Sequence, residues 1–199
     1  MIVGEPWPDR VRTTFGRVLD ADATVDEGFG PVTVDVPADR WVEALTLARD
    51  GLGCAFFDWL SAVDEGADGF RVVCHLARHQ PGRVEHLLVR TLLPRDRASV
   101  ASAALLFAGA GWHERETHEM FGIDFTDDTG AVLELDALLL PAEFEGHPLR
   151  KDFVLASRAA LPWPGAKEPG ESGEPAVGGR RRLRPPGVPG PGEWGSSDD

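Results

Sequence analysis

Valine and polar residues alternate from Val32 to Val36, with Val32, Val34 and Val36 on one face and Thr33 and Asp35 on the other. That is the period of a half-buried strand. Before it, Asp9–Leu19 carries Val11, Phe15, Val18 and Leu19 at helical spacing, and Asp20–Gly30 is an acidic, glycine-rich loop. After it, Pro37 stands where a helix opens well. Trp41, Ala44, Leu45 and Ala48 give that helix an apolar face, and Gly51 closes it.

Three strand-like runs follow. Ala55–Val63 is rich in aromatics and places Trp59, like Trp41, among the core candidates. Phe70–Ala77 alternates, with Phe70, Val72, Cys74 and Leu76 on one face, and Val84–Leu93 does so with Leu87, Val89 and Leu93. Gly66–Gly69 and Gln80–Gly82 are turn sequences, and short links favour antiparallel pairing. Pro94 stops the third run. Asp96 or Ser99 can then cap a helix whose apolar face is Val100, Ala103, Ala104 and Phe107, ended by Gly109 and Gly111. The order is α-β-α-β-β-β-α-α. It predicts an α+β domain of two layers, helices on a largely antiparallel or mixed sheet, followed by an extended C-terminal segment. Strand order is not readable from the pattern.

The last helix, Trp112–Phe121, departs from the usual stripe. Trp112, Arg115, Glu116, Glu119 and Met120 share one side, so two large apolar groups bracket three charges. His113, Glu114, Thr117 and His118 fill the other. Gly122 can take the left-handed cap. A helix this short needs support from elsewhere. Further on, Glu145-Gly146-His147-Pro148-Leu149-Arg150-Lys151-Asp152-Phe153 is a basic strap. Gly146 permits a turn there, and Pro148 drives His147 towards extended backbone. The expected arrangement is a charged clamp, with the fork of Arg150 pairing Glu114 or Glu116, within the domain or together with a partner chain.

Composition narrows the function. The chain has 199 residues and a net charge of −13. That charge opposes nucleic acid and anionic lipid and suits basic protein partners. No apolar run approaches the roughly 20 residues that span a bilayer. MIVGEPWPDR lacks the basic-then-apolar pattern of a signal peptide. Cys54 and Cys74 are too few and too far apart for a thiolate cluster. His113-Glu114 with His118 misses the zinc-protease spacing by one residue, so the two imidazoles cannot share a metal on one helical face. His75, His79 and His86 are read as surface or satisfied histidines. From Pro162 the chain is rich in proline and glycine and is expected to be a disordered tail, with Arg180–Arg184 solvated.

Two blocks carry a family resemblance. Trp112-x-Glu114-Arg115-Glu116, Met120-Phe121-Gly122-Ile123, Phe125 and the Leu138–Pro141 run are followed, in order, by Glu145 to Phe153. Together they resemble the C subunit of NADH–quinone oxidoreductase, respiratory complex I. His118 and Glu119 stand where that family usually has an aromatic residue and an aspartate. Acidic Thr126–Gly130 replaces a His-Pro with basic residues, as in a divergent member.

The resemblance implies an α/β domain over 1–125 and a strap over 126–161 that docks on partners, ahead of the proline- and glycine-rich tail over 162–199. It implies a subunit of the peripheral arm, on the cytoplasmic face of the cell membrane and touching the membrane only through the complex. Its partners would be the iron–sulfur and quinone-site subunits. The chain itself would bind no cofactor and hold no active site of its own. NADH, FMN, iron–sulfur clusters and quinone would belong to the parent complex, in electron transport coupled to proton translocation. Trp112, Glu114, Arg115, Glu116, Phe121, Gly122 and Glu145–Asp152 are the implied docking residues. Alternatives are the same role in a ferredoxin-linked relative or membrane-bound hydrogenase, a hydrolase built on the acidic helix, or a nucleic-acid module built on the arginine-rich tail.

Overall fold

The computed structural model describes residues 5–154 apart from 20–22, 29 and 142. The expected tail, with Arg180–Arg184, lies outside the described residues, as does part of the Asp20–Gly30 loop.

Helix α1 is Trp7–Val18 and buries Val11 and Phe15, with Leu19 just beyond its end. Strands β1 (Thr24–Asp26) and β2 (Val32–Asp35) follow. Helix α2, Trp41–Thr46, widens into a π turn over Leu47–Gly51. Its predicted face of Trp41, Ala44, Leu45 and Ala48 is wholly buried. Strands β3 (Phe56–Asp64), β4 (Phe70–Gln80) and β5 (Arg83–Leu93) form an antiparallel meander. The β4–β5 hairpin runs in unbroken register from Phe70↔Leu93 to Gln80↔Arg83 and turns through Pro81 and Gly82.

The sheet order is β1-β2-β5-β4-β3. Strand β2 pairs parallel with β5 and antiparallel with β1, so the sheet is mixed. On one face, Val34, Leu60, Phe70, Val72, Cys74, Leu76, Leu87, Val89 and Leu93 join the apolar residues of the helices in one core.

Three expectations change. Residues 99–107 do not form a helix: Ser99–Ala101 is strand β6, paired parallel with β7 (Asp124–Thr126), and turns follow to Gly109. Val100, Ala103 and Phe107 are buried all the same. The spacing marked burial correctly, but a backbone ladder to a distant strand set the conformation. The loop after α1 contains β1, which adds to the edge of β2. Trp59 is not core. A register shift between Phe57 and Trp59 turns it to the far face, 37% exposed, where it stacks on His75 with ring centroids 5.7 Å apart.

Helix α3 is Ala110–Phe121. It packs against β3, and the ring Nδ1 of His113 lies 3.2 Å from the Leu60 carbonyl oxygen of that strand. Its inward face is Ala110, Glu114, Thr117 and Phe121, with Met120. Two polar groups therefore sit in a buried stripe, which is why no ordinary apolar face is visible in the sequence.

Candidate functional site: the helix α3 and strap unit

A helix leaves its last four carbonyls without partners. In α3 every one is met. The Gly122 N–H donates to His118 O (2.7 Å), and the Leu149 N–H donates to Met120 O (3.2 Å). His147 donates from Nδ1 to Glu119 O (2.9 Å), which places its proton on that nitrogen. Arg150 donates from Nε to Phe121 O (2.5 Å) and from a terminal nitrogen to Gly122 O (3.4 Å). The strap Gly146–Arg150 is thus a C-terminal cap supplied from a distance. Cationic Arg150 also suits the negative end of the helix dipole.

Gly122 makes this closure possible. It has φ 68°, and a Cβ there would strike both Arg150 and His147. At the strap's start Gly146 has φ 92°, and the Phe144 and Phe153 rings stack 5.9 Å apart to close the loop.

The helix also grips the segment before the strap. Arg115 donates to the carbonyls of Asp136 and Ala137, each at 3.0 Å, and lies over the Trp112 ring at 5.1 Å. One turn on, the Glu119 carboxylate accepts from the N–H groups of Leu138 (3.2 Å), Leu139 (2.8 Å) and Leu140 (2.8 Å). Desolvation pushes the Glu119 carboxyl up, but those three amides and Arg115 outweigh it and hold it below the usual range.

The strap's far end is fixed to the β3–β4 turn. Asp64 is almost wholly buried and accepts from Arg95 (2.7 Å), the Lys151 N–H (2.8 Å) and the Gly66 N–H (2.8 Å). Burial alone would raise its pKa; Arg95 and the two amides overcome that and hold it at about 2. Arg95 also pairs with Asp152 at 2.7 Å. The guanidinium groups of Arg95 and Arg150 lie 4.9 and 5.2 Å from the centre of the buried Phe70 ring.

Glu114 has a different task. It is 1% exposed and accepts from Ser102 Oγ (2.7 Å) and the Ala103 N–H (2.7 Å). Burial outweighs both bonds and raises its pKa.

The sequence profile of the respiratory-chain NADH dehydrogenase 30 Kd subunit matches residues 34–159. The chain belongs to this family. The NADH-quinone oxidoreductase C 1 subunit of Rhizobium meliloti (strain 1021) is 37% identical over 141 residues, 69% of this chain and 66% of that protein. The corresponding C subunit of Citrifermentans bemidjiense is 37% identical over 149 residues, 73% of this chain and 89% of that protein. The chain thus spans 66% of the first relative's length, about two thirds. A chain of the membrane-bound sulfane sulfur reductase, an archaeal respiratory membrane complex, superposes with TM-score 0.58 at 24% identity, covering 74% of this chain and 85% of that one. A trypsin-resistant fragment of Nqo5 gives TM-score 0.50 at 21% identity, covering 58% and 95%. Both structural likenesses speak to the fold.

The residues that carry the resemblance are brought together, but not as the expected ion pair. Within the chain Arg150 meets neither Glu114 nor Glu116: Glu114 faces the β6 turn, and Arg150 is spent on backbone carbonyls. Glu116 and Glu145 are exposed, and Trp112 is 61% exposed. Phe121 is buried with its ring edge-on to Phe70, and Pro148 is half-buried. Leu149 and Lys151 contribute their amides and leave their side chains outside.

The roles of Glu119, Asp64, Arg95 and Ser102 in this unit escape sequence reasoning. For Asp64 one local signal exists, an aspartate two residues before a turn glycine. Its link to Lys151 spans 87 positions and has none. Among the described residues, no group of three or more His, Cys, Asp or Glu side chains could hold a metal ion. None of the helices described is long and apolar enough to cross a membrane. Cys54 and Cys74 are buried and unpaired; desolvation pushes the Cys54 thiol up to about 12 and Cys74 in the same direction.

Proposed function

We propose that the chain is a structural subunit in the peripheral arm of a membrane-associated NADH–quinone oxidoreductase of the complex I type. It holds the iron–sulfur and quinone-site subunits together during electron transfer to quinone, coupled to proton translocation. Flavin, iron–sulfur clusters and quinone sit in those neighbours, on the cytoplasmic face of the membrane, and this chain reaches the membrane through them.

The observation that carries the reading is how the polar groups of the α3 and strap unit are used. Glu119, Arg115, His147 and Arg150 all bind main chain, and Glu114 fastens a turn. A group so engaged is not poised for acid–base chemistry. What the unit does is fix a rigid surface that presents Trp112 and Glu116 outward. A large exposed aromatic on a firm helix, stacked by an arginine, is the type of side chain that anchors protein interfaces. The hydrolase alternative has little support, because Glu114 is out of reach of substrate and Glu119 is fully occupied.

A second reading keeps the scaffold and changes the electron donor, as in a ferredoxin-linked assembly. The fold is shared with a chain of the membrane-bound sulfane sulfur reductase, so the fold does not single out one donor. The donor is chosen by other subunits.

Deletion of the gene tests the proposal. Membranes should lose NADH–quinone reductase activity and regain it when the intact chain is supplied. Unchanged activity in the deletion strain would refute the proposal.

A further inference from the structure

Beside α2 the surface opens into an apolar groove of about 550 Å³. Val42 of α2, Leu105 and Leu106 of the turn after β6, and Leu133 supply its walls, with Asp127 and Asp128 among its lining residues. We propose that this groove is a docking site for an amphipathic helix of a partner protein, one that inserts branched apolar side chains and carries lysine or arginine beside them.

The groove is built, not incidental. Leu105 is 86% exposed, yet its turn is held firmly: the Leu106 and Phe107 N–H groups both donate to Ala103 O at 2.9 Å. Beneath it, buried Glu114 grips Ser102 and the Ala103 amide. A leucine kept in water on a fixed turn, over further aliphatic side chains, is a preformed apolar anchor. The walls offer few convergent polar groups to orient a small molecule, as ligand sites do.

Charge selects the occupant. Asp127 accepts from the Thr129 N–H, the Thr129 hydroxyl and the Ala131 N–H, which hold its carboxyl below the usual range and therefore ionised. Asp128 is exposed. An acidic rim on a chain of net charge −13 repels nucleic acid and anionic lipid. It also opposes a second copy, because a two-fold contact through this patch would set each acidic rim against its equal. A basic amphipathic helix satisfies both the walls and the rim, with apolar side chains a turn apart.

The test uses the full chain and two synthetic helices, one of leucine and lysine and one of leucine and glutamate. Methyl NMR follows the titration. The leucine–lysine helix should shift the methyls of Val42, Leu105, Leu106 and Leu133. It should bind at least about tenfold tighter than the leucine–glutamate helix and weaken as salt rises. Asp128→Lys should cost about fivefold or more in affinity, and Leu105→Asp should abolish binding. Both positions are exposed, so the amide spectrum of each variant should stay that of the parent. Shifts confined to another surface, equal binding of both helices, no effect of Asp128→Lys, or self-association through these methyls would each overturn the proposal.

Discussion

Arg150 donates from Nε to the carbonyl oxygen of Phe121 at 2.5 Å, so a residue 29 positions away completes the last turn of α3. The guanidinium then rests against Phe70, whose ring meets Phe121 edge-on. The conspicuous positive charge of the strap therefore serves a helix terminus, and its partner is the backbone. That relationship ties the end of the helix to a strap that follows it at a distance in the chain.

Arg150→Ala should destabilise the isolated chain by about 1.5–3 kcal/mol in urea, the scale of a lost hydrogen bond to a charged group. Arg150→Lys should recover only part, since an ammonium reaches a carbonyl but cannot lie flat on the ring. Combining Arg150→Ala with Glu114→Gln should give effects additive to within about 0.5 kcal/mol, because the two side chains share no partner. A coupling well above that would restore the ion pair that the structure lacks.

Glu119→Ala should free the segment it holds. The amides of Leu138, Leu139 and Leu140 should exchange with solvent at least about tenfold faster, equivalent to about 1.4 kcal/mol, while the β4–β5 hairpin keeps its protection. Unchanged exchange at those three amides would show that the carboxylate does not hold them.

The two buried carboxyls should respond to pH with opposite sign. The Glu114 pKa is raised in the folded protein, so the native state holds that proton better than the unfolded chain. Its contribution is greatest in acid and is lost as pH rises past the ordinary glutamate value through the folded one. The Asp64 pKa is depressed to about 2, so its contribution is full above the ordinary aspartate value and is lost as pH falls towards about 2. Glu114→Gln should therefore flatten the decline in stability above about pH 4.5 and leave neutral stability equal or higher. Urea titrations across that range check it; a slope identical in parent and variant would contradict the burial argument.

Much of the fold is legible because it rests on local signals. Alternation placed β2, β4 and β5, and the period of Trp41, Ala44, Leu45 and Ala48 placed the second helix. Gly122 is legible as a cap, and its φ of 68° is left-handed. Two of the failures share one cause. Ser99–Ala101 is a strand only because Asp124–Thr126 lies beside it, and Thr24–Asp26 only because β2 does. In the site, the sequence marked which residues belong together without showing that their bonds run to main-chain atoms. A carbonyl or amide partner leaves no trace in residue type, so Arg115, Glu119 and Arg150 all look like halves of salt bridges.

The scaffold reading is tested most directly by purifying the tagged chain from native membranes in mild detergent and identifying what elutes with it. Stoichiometric co-elution with iron–sulfur-bearing and quinone-site subunits is expected, in a particle that reduces quinone. Trp112→Ala, at an exposed position, should lose those partners while keeping the parent's folding stability. A chain that elutes alone and intact, or a Trp112→Ala variant that assembles as fully as the parent, would contradict the scaffold reading.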